Sequence, residues 1–198
     1  MTVLLIAGSP SERSRSSALL DAAERYLTQT GVYAERLRIR DLSPQALLLA
    51  DFGHPSVVAA TRQVAQAKAI VIATPVYKAA YAGSLKVLLD LLPQTAFQGK
   101  TVLPLATAGS PSHMLALDYA LRPVLQALGS RQILPGVYAT DAQINVLAEG
   151  GAHVEGDLQR RLHDGLDNLV AESRVSRHSP SAKGLFEAIP FAQVRCSV

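Results

Sequence analysis

An α/β fold, a doubly wound five-stranded parallel sheet with helices on both faces, follows from three features of the sequence. Apolar runs of strand length alternate along the chain with segments of helical periodicity. The run Ala69-Ile70-Val71-Ile72-Ala73 contains no polar residue, as expected of a strand covered on both faces. Each strand is followed by a helix, the crossover that parallel neighbours require.

The first strand is read at 3–7 and the first helix at about 16–28, with Leu19, Leu20, Ala23 and Leu27 on one face. Residues 32–39 alternate as a second strand. There Arg36, Arg38 and Arg40 interleave with Leu37 and Ile39, the pattern of an edge strand with one wet face. A helix at 55–67 leads into the third strand, 69–73, and a loop separates it from a helix at 83–92. The fourth strand is 100–106, a long helix spans 112–128, the fifth strand is 132–139, and the last helix covers 156–173. Segments 51–55 and 145–156 read as loops. One domain, 1–175, accounts for these elements. Residues 176–198 turn to Ser, Pro, Arg and Gly and then to Leu185-Phe186 and Ile189-Pro190-Phe191. They form a tail that is either mobile or strapped to a neighbouring surface.

With 198 residues, 48% of them hydrophobic, the chain can bury a full core. No apolar run reaches the ~18 residues that span a bilayer. The apolar start lacks the basic region and cleavage site of a signal peptide. Cys196 is the single cysteine, which excludes a disulfide framework and a CxxC metal site. A soluble cytoplasmic protein with no metal is expected. The net charge of +3 is scattered and aromatic residues are only 5%, which argues against a nucleic-acid partner and fits small anionic ligands.

In an open parallel sheet, ligands bind beyond the carboxyl ends of the strands, where strand order reverses. Three unusual loops leave that edge. The first, residues 8–17, has neither GxxxxGK[ST] nor GxGxxG, so ATP and a Rossmann-bound dinucleotide are poor candidates. It holds five serines and two arginines in the nine residues from Ser9 to Ser17. Ser9, Ser14, Ser16 and Ser17 can donate to phosphate oxygens, Arg15 adds charge, and the N-terminus of the following helix adds its dipole. A capped helix start alone would also use serines. The second loop, 74–83, carries Pro75, Val76, Tyr77, Lys78, Tyr81 and Gly83, a stiff aromatic turn able to border a flat ring. In the third, Thr107-Ala108-Gly109-Ser110, small residues allow close backbone approach.

The segments GSPS-x3-RSS, TPVYKAAYAGSLKVLLDLLP, LPLATAGS and HMLALDYALRPVL resemble the NADPH-dependent FMN reductases of the flavodoxin-like superfamily. The resemblance runs from residue 2 to about 140. It is nearest to the reductases that supply alkanesulfonate-type two-component monooxygenases. It implies that Ser9, Ser14, Arg15, Ser16 and Ser17 hold the FMN phosphate. Pro75, Val76, Tyr77 and Lys78 would border the isoalloxazine ring, with Thr107, Gly109 and Ser110 closing its other edge. Hydride would pass from NADPH to FMN, and reduced FMN would leave for a partner monooxygenase. No protein acid or base is then needed, and no catalytic residue is assigned. An FMN-retaining quinone or azo reductase is the alternative. A flavodoxin-type electron carrier is disfavoured by the positive charge.

Within 112–128, Pro123 removes an N–H that should meet the carbonyl of Tyr119. A helix absorbs this either as a kink or as a π-bulge. The resemblance implies the bulge, with Tyr119 as the inserted residue that favours flavin release. The segment Leu85-Lys86-Val87-Leu88-Leu89-Asp90-Leu91-Leu92 is apolar nearly all round. It is expected to leave leucines over for a homo-oligomer interface, a dimer by packing of two such helices. The resemblance implies a tetramer in which the π-bulge tyrosine crosses an interface.

Overall fold

The computed structural model of the chain describes residues 1–147 and 151–175. β1 (Thr2–Ala7) enters the interior at once, and its side chains alternate between two cores. Leu4 and Ile6 face one core, and Val3 and Leu5 the other. After β1 come α1 (Arg15–Gln29), the edge strand β2 (Tyr33–Arg38), a short helix α2 (Pro44–Leu48) and α3 (Pro55–Gln66). β3 (Ala69–Tyr77) is followed by β4 (Ala80–Tyr81), α4 (Gly83–Asp90) and β5 (Thr101–Ala108). A π-helical segment (Leu117–Leu121) runs into α5 (Arg122–Ala127). The described chain closes with β6 (Gln132–Ile133), β7 (Val137–Thr140), β8 (Ile144–Val146), β9 (Ala152–Val154) and α6 (Gly156–Val175).

The strand order is β2-β1-β3-β5, with β6 and β7 sharing the fifth place, all parallel. This is the flavodoxin-like order, and its reversal falls between β1 and β3. Leu19, Leu20, Ala23 and Leu27 of α1 join Leu158, Leu162, Leu166 and Leu169 of α6 on one face of the sheet. α3, α4 and α5 cover the other. Both faces of β3 are therefore filled, and Ala69–Thr74 are buried without exception.

The fifth strand departs from the single run expected at 132–139. Val102 pairs with Ile133 and Leu105 with Val137, so three residues, Leu134-Pro135-Gly136, stand opposite two, Leu103-Pro104. Pro104 offers no N–H to a neighbour, and a one-residue bulge at that place costs the sheet little. Residues 145–156 contain the hairpin β8–β9, with Ile144 opposite Val154. Three-residue strands are too short for alternation to be read. The short helix α2, capped by Ser43 with Pro44 in its first turn, escaped detection for the same reason.

The leucines of α4 and of the two residues after Asp90 are not surplus. Leu85, Leu88, Leu89, Leu91 and Leu92 are all buried inside the one chain, packed with Leu42, Leu47 and Phe97. Insertion of α2 and the turn at 39–41 beside α4 covers the face that was expected to remain open. Exposed apolar side chains gather instead at Leu48, Leu49 and Phe52, and at Met114, Leu115 and Tyr119. No helix among the described residues is long and apolar enough to cross a membrane. The tail at 176–198 lies outside the described residues.

Gly8 sits where β1 leaves the sheet. Its N–H donates to the Ala73 carbonyl at 2.8 Å, and its own carbonyl accepts from Ser84 Oγ at 2.9 Å. A Cβ here would lie 3.0 Å from Leu85 Cβ and 3.1 Å from the Ala73 oxygen. Gly8→Ala is expected to destabilise the fold by about 1–3 kcal/mol. Denaturant unfolding measures this, and an unchanged midpoint would show that the junction yields without cost.

Candidate functional site

The loop from Gly8 to Ser17 is organised by its own hydroxyls. Ser14 is the N-cap of α1, in extended conformation, and its Oγ accepts from the Ser17 N–H at 3.1 Å. The same hydroxyl donates to Ser17 Oγ at 2.8 Å and lies 3.2 Å from Ser16 Oγ. Ser9 Oγ accepts from the Ser11 N–H at 3.2 Å. Ser9 and Ser16 are almost fully buried. The remaining first-turn N–H groups of α1 have no intrahelical acceptor, and the helix dipole favours an anion beside them.

Beyond β1, β3 continues further than expected. The segment read as a loop is a strand to Tyr77 and then a tight hairpin back through β4, with Tyr77 opposite Ala80. Its two turn residues, Lys78 and Ala79, have φ of +50° and +65°. That is the geometry of a two-residue type I′ turn, which ordinarily selects Asn and Gly. Thr74 holds the returning segment in place. Its Oγ1 accepts from the Ala82 N–H at 3.0 Å and donates to the Pro75 carbonyl at 2.9 Å. Val76 and Tyr77 are thus presented at the sheet edge on a fixed backbone, with Tyr77 half exposed.

Thr107, Ala108 and Gly109 end β5 beside them. Ser110 Oγ accepts from the Ser112 N–H at 3.2 Å, and the Ser110 carbonyl accepts from the Tyr138 hydroxyl. Burial, and secondarily the Asp141 charge, push the Tyr138 phenol above its ordinary range, so it remains a donor. The loop after β7 also reaches the site. A Thr140–Gln143 capping box fixes it, and Asp141 Oδ2 lies 3.3 Å from Arg15 Nη1.

These pieces enclose a cavity of about 340 Å³. Ser14, Arg15, Pro75, Val76, Tyr77, Thr107 and Gly109, all singled out in the sequence, line it together. Ser11, Arg13, Ala108, Asp141 and Val146 line it as well and were not singled out. The signal for Asp141 was available, because its loop leaves the same sheet edge as the other three. Ser9 and Ser17 line a second cavity instead. Ser16, Lys78 and Ser110 are not in the cavity lining: they shape the loop, the hairpin and the turn at 111–113.

The long helix expected at 112–128 is broken into a 3-10 turn at Pro111–His113, the π-helical segment and α5. The Arg122 N–H donates to the Leu117 carbonyl, five residues back. Leu117 and Leu121 stay buried while Tyr119 is 78% exposed. Arg122 anchors the segment through Asp118 Oδ1 at 2.9 Å and the Ile133 carbonyl at 3.1 Å. Gly136 leaves room for it, since a Cβ there would meet Leu117 Cδ1 at 2.6 Å.

A capped anion loop, a flat wall and a close backbone wall at the switch point of a flavodoxin-like sheet fit a flavin mononucleotide. The volume is also of the size expected for a small-ligand site. The fold and site define a flavin-dependent oxidoreductase. The chain belongs to the NADPH-dependent FMN reductase family, whose model matches residues 1–144. Its cofactors are accordingly FMN and NADPH. It is 46% identical over 188 residues to an FMN reductase (NADPH) of Pseudomonas putida, covering 93% of this chain and 94% of that one. An FMN reductase (NADPH) of Escherichia coli is 51% identical over 144 residues, covering 73% and 75%. Among solved structures, an NADH:FMN oxidoreductase in apo form superimposes with a TM-score of 0.77 at 35% identity, covering 98% and 99%.

Asp141 occupies Arg15 and places a carboxylate beside the anion loop. Asp141→Asn is expected to tighten FMN binding a few-fold, in proportion to a half-exposed ion pair. Quenching of flavin fluorescence on titration measures this, and weaker binding would show that Asp141 orients Arg15 rather than competing for it. In the hairpin, Lys78→Asn with Ala79→Gly should stabilise the fold by about 1 kcal/mol, because both φ values are then native to the residues. A thermal melt that does not move upward would contradict this.

Proposed function

We propose that this chain reduces FMN with NADPH and releases the reduced flavin to a separate monooxygenase of the alkanesulfonate-utilising type. FMN and NADPH supply the hydride chemistry themselves, so the protein's share is binding, orientation and release. Arg15 and the Ser14-capped start of α1 neutralise the FMN phosphate. Pro75, Val76 and Tyr77 support one side of the ring system, and the backbone of Thr107 to Gly109 approaches the other. Asp141 is the only carboxylate among the described residues lining this cavity, and it is paired with Arg15. A proton-transfer role for it is not required.

The observation that carries the release step is the π-helical segment. It packs against β4, directly behind the hairpin that presents Tyr77. Tyr119 within it, and Met114 and Leu115 just before it, are exposed. In this reading these side chains meet another subunit of a homo-oligomer, dimer or tetramer, and Tyr119 couples that contact to the grip on the flavin. A cytoplasmic setting supplies the NADPH.

A releasing reductase shows saturation kinetics in free FMN and purifies colourless. A protein that purifies yellow and reduces quinones without added FMN would be a flavin-retaining reductase instead. Deleting Tyr119 together with Pro123→Ala should return the segment to regular pitch and tighten FMN at least several-fold. Unchanged FMN affinity in that variant, with helicity restored by circular dichroism, would remove the π segment from the release mechanism.

A further inference from the structure

A second cavity, of about 410 Å³, opens on the β2 side of the same loop. Ser9, Glu12 and Ser17 form its loop wall, Asp21 comes from α1, and Arg36 and Arg38 of β2 with Arg40 and Asp41 of the turn after it form the facing wall. Leu37 is buried in the core, so Arg36 and Arg38 share the opposite face of β2, and the 3-10 turn at Ile39–Asp41 brings Arg40 to the same cavity. The three arginines are not equivalent. Arg36 is ion-paired with both Asp21 and Glu24 of α1, and only 13% of its side chain is exposed. Arg38 and Arg40 have looser arrangements: each lies 3.7 Å from one carboxylate, Asp41 and Glu12 respectively, beyond hydrogen-bond reach. Exposed pairs at that separation contribute little and are readily exchanged for a better anion.

We propose that this cavity receives the adenosine end of NADPH, with Arg38 and Arg40 binding the ribose 2′-phosphate. The inference rests on the reductase reading above. The 2′-phosphate takes no part in hydride transfer and lies at the far end of the molecule from the nicotinamide. A preference for NADPH over NADH therefore needs cations outside the flavin cleft. This cavity supplies them across the shared wall of residues 8–17, on the opposite side of β1 from Pro75 and Thr107. Two guanidinium groups suit a phosphate monoester dianion. Glu12 and Asp41, displaced from their arginines, can accept from the neighbouring ribose hydroxyl. The charge balance also discriminates. NADH brings a neutral 2′-hydroxyl and leaves both ion pairs intact.

The test uses Arg38→Ala, Arg40→Ala and the double variant of the full chain. Calorimetry measures the binding of 2′,5′-ADP and 5′-AMP, and steady-state assays give kcat/KM for NADPH and for NADH at saturating FMN. For the native chain, 2′,5′-ADP should bind more tightly than 5′-AMP. Each single substitution should weaken 2′,5′-ADP on the order of tenfold, the size of a lost charged hydrogen bond, and lower the NADPH-to-NADH ratio of kcat/KM similarly. Lysine at either position should restore part of the loss. Equal affinity of the native chain for the two nucleotides would overturn the assignment, as would variants that shift both donors together. Native NADPH turnover combined with variants indistinguishable from it sinks this site and leaves the reductase reading standing. Absence of NADPH oxidation with free FMN sinks the reductase reading, while the calorimetry still decides whether the arginines recognise a 2′-phosphate.

Discussion

The contact on which the site depends is the close approach of Gly8 to β3 and α4. One residue ties three elements: its N–H closes on Ala73, its carbonyl receives Ser84, and its missing side chain admits Leu85. The anion loop that begins there is thereby fixed relative to the strand that carries Pro75, Val76 and Tyr77. A phosphate end and a ring end can then be held at a set separation by backbone alone. Side-chain rotamers need not be recruited to set it, which keeps the ordering cost of binding small.

Much of this was legible in the sequence because it rests on local rules. An unbroken apolar run announces a strand buried on both faces, and β3 is one. Serine before a helix announces a cap, and Ser14 is one. Proline inside a helical pattern announces a fault, and the π segment ends at Leu121, two residues before Pro123. What stayed hidden depends on contacts between distant parts of the chain. Five leucines in α4 and directly after it look surplus until α2 and Phe97 are packed beside them. Asp141 gains meaning only when the loop after β7 is brought up to Arg15. Lys78 and Ala79 gave no warning of a type I′ turn, since neither is a residue such turns select.

The electrostatics of the sheet edge follow from the same topology. Residues 8–17 are the wall between two cavities, and successive side chains of the loop serve them differently. Ser14 and Arg15 face the β3 side, while Ser9, Glu12 and Ser17 face the β2 side. In each cavity an arginine is already engaged by a carboxylate, at 3.3 Å for Arg15 and at 3.7 Å for Arg38 and Arg40. An arriving anion therefore exchanges partners with the protein rather than meeting bare charge. That moderates affinity on both sides of the loop.

Pro123 lies in the first turn of α5, a position that tolerates proline only because the wide π turn ends just before it. The wide turn and the proline thus protect one another. A lineage that lost Tyr119 alone would inherit a proline in the interior of a regular helix, a defect of about 3 kcal/mol. One that lost the proline alone would keep the wide turn with no gain to its pitch. The path back to an ordinary helix therefore crosses a fitness valley unless both changes arrive together. The wide turn is thereby held in place by a neighbour four positions from Tyr119.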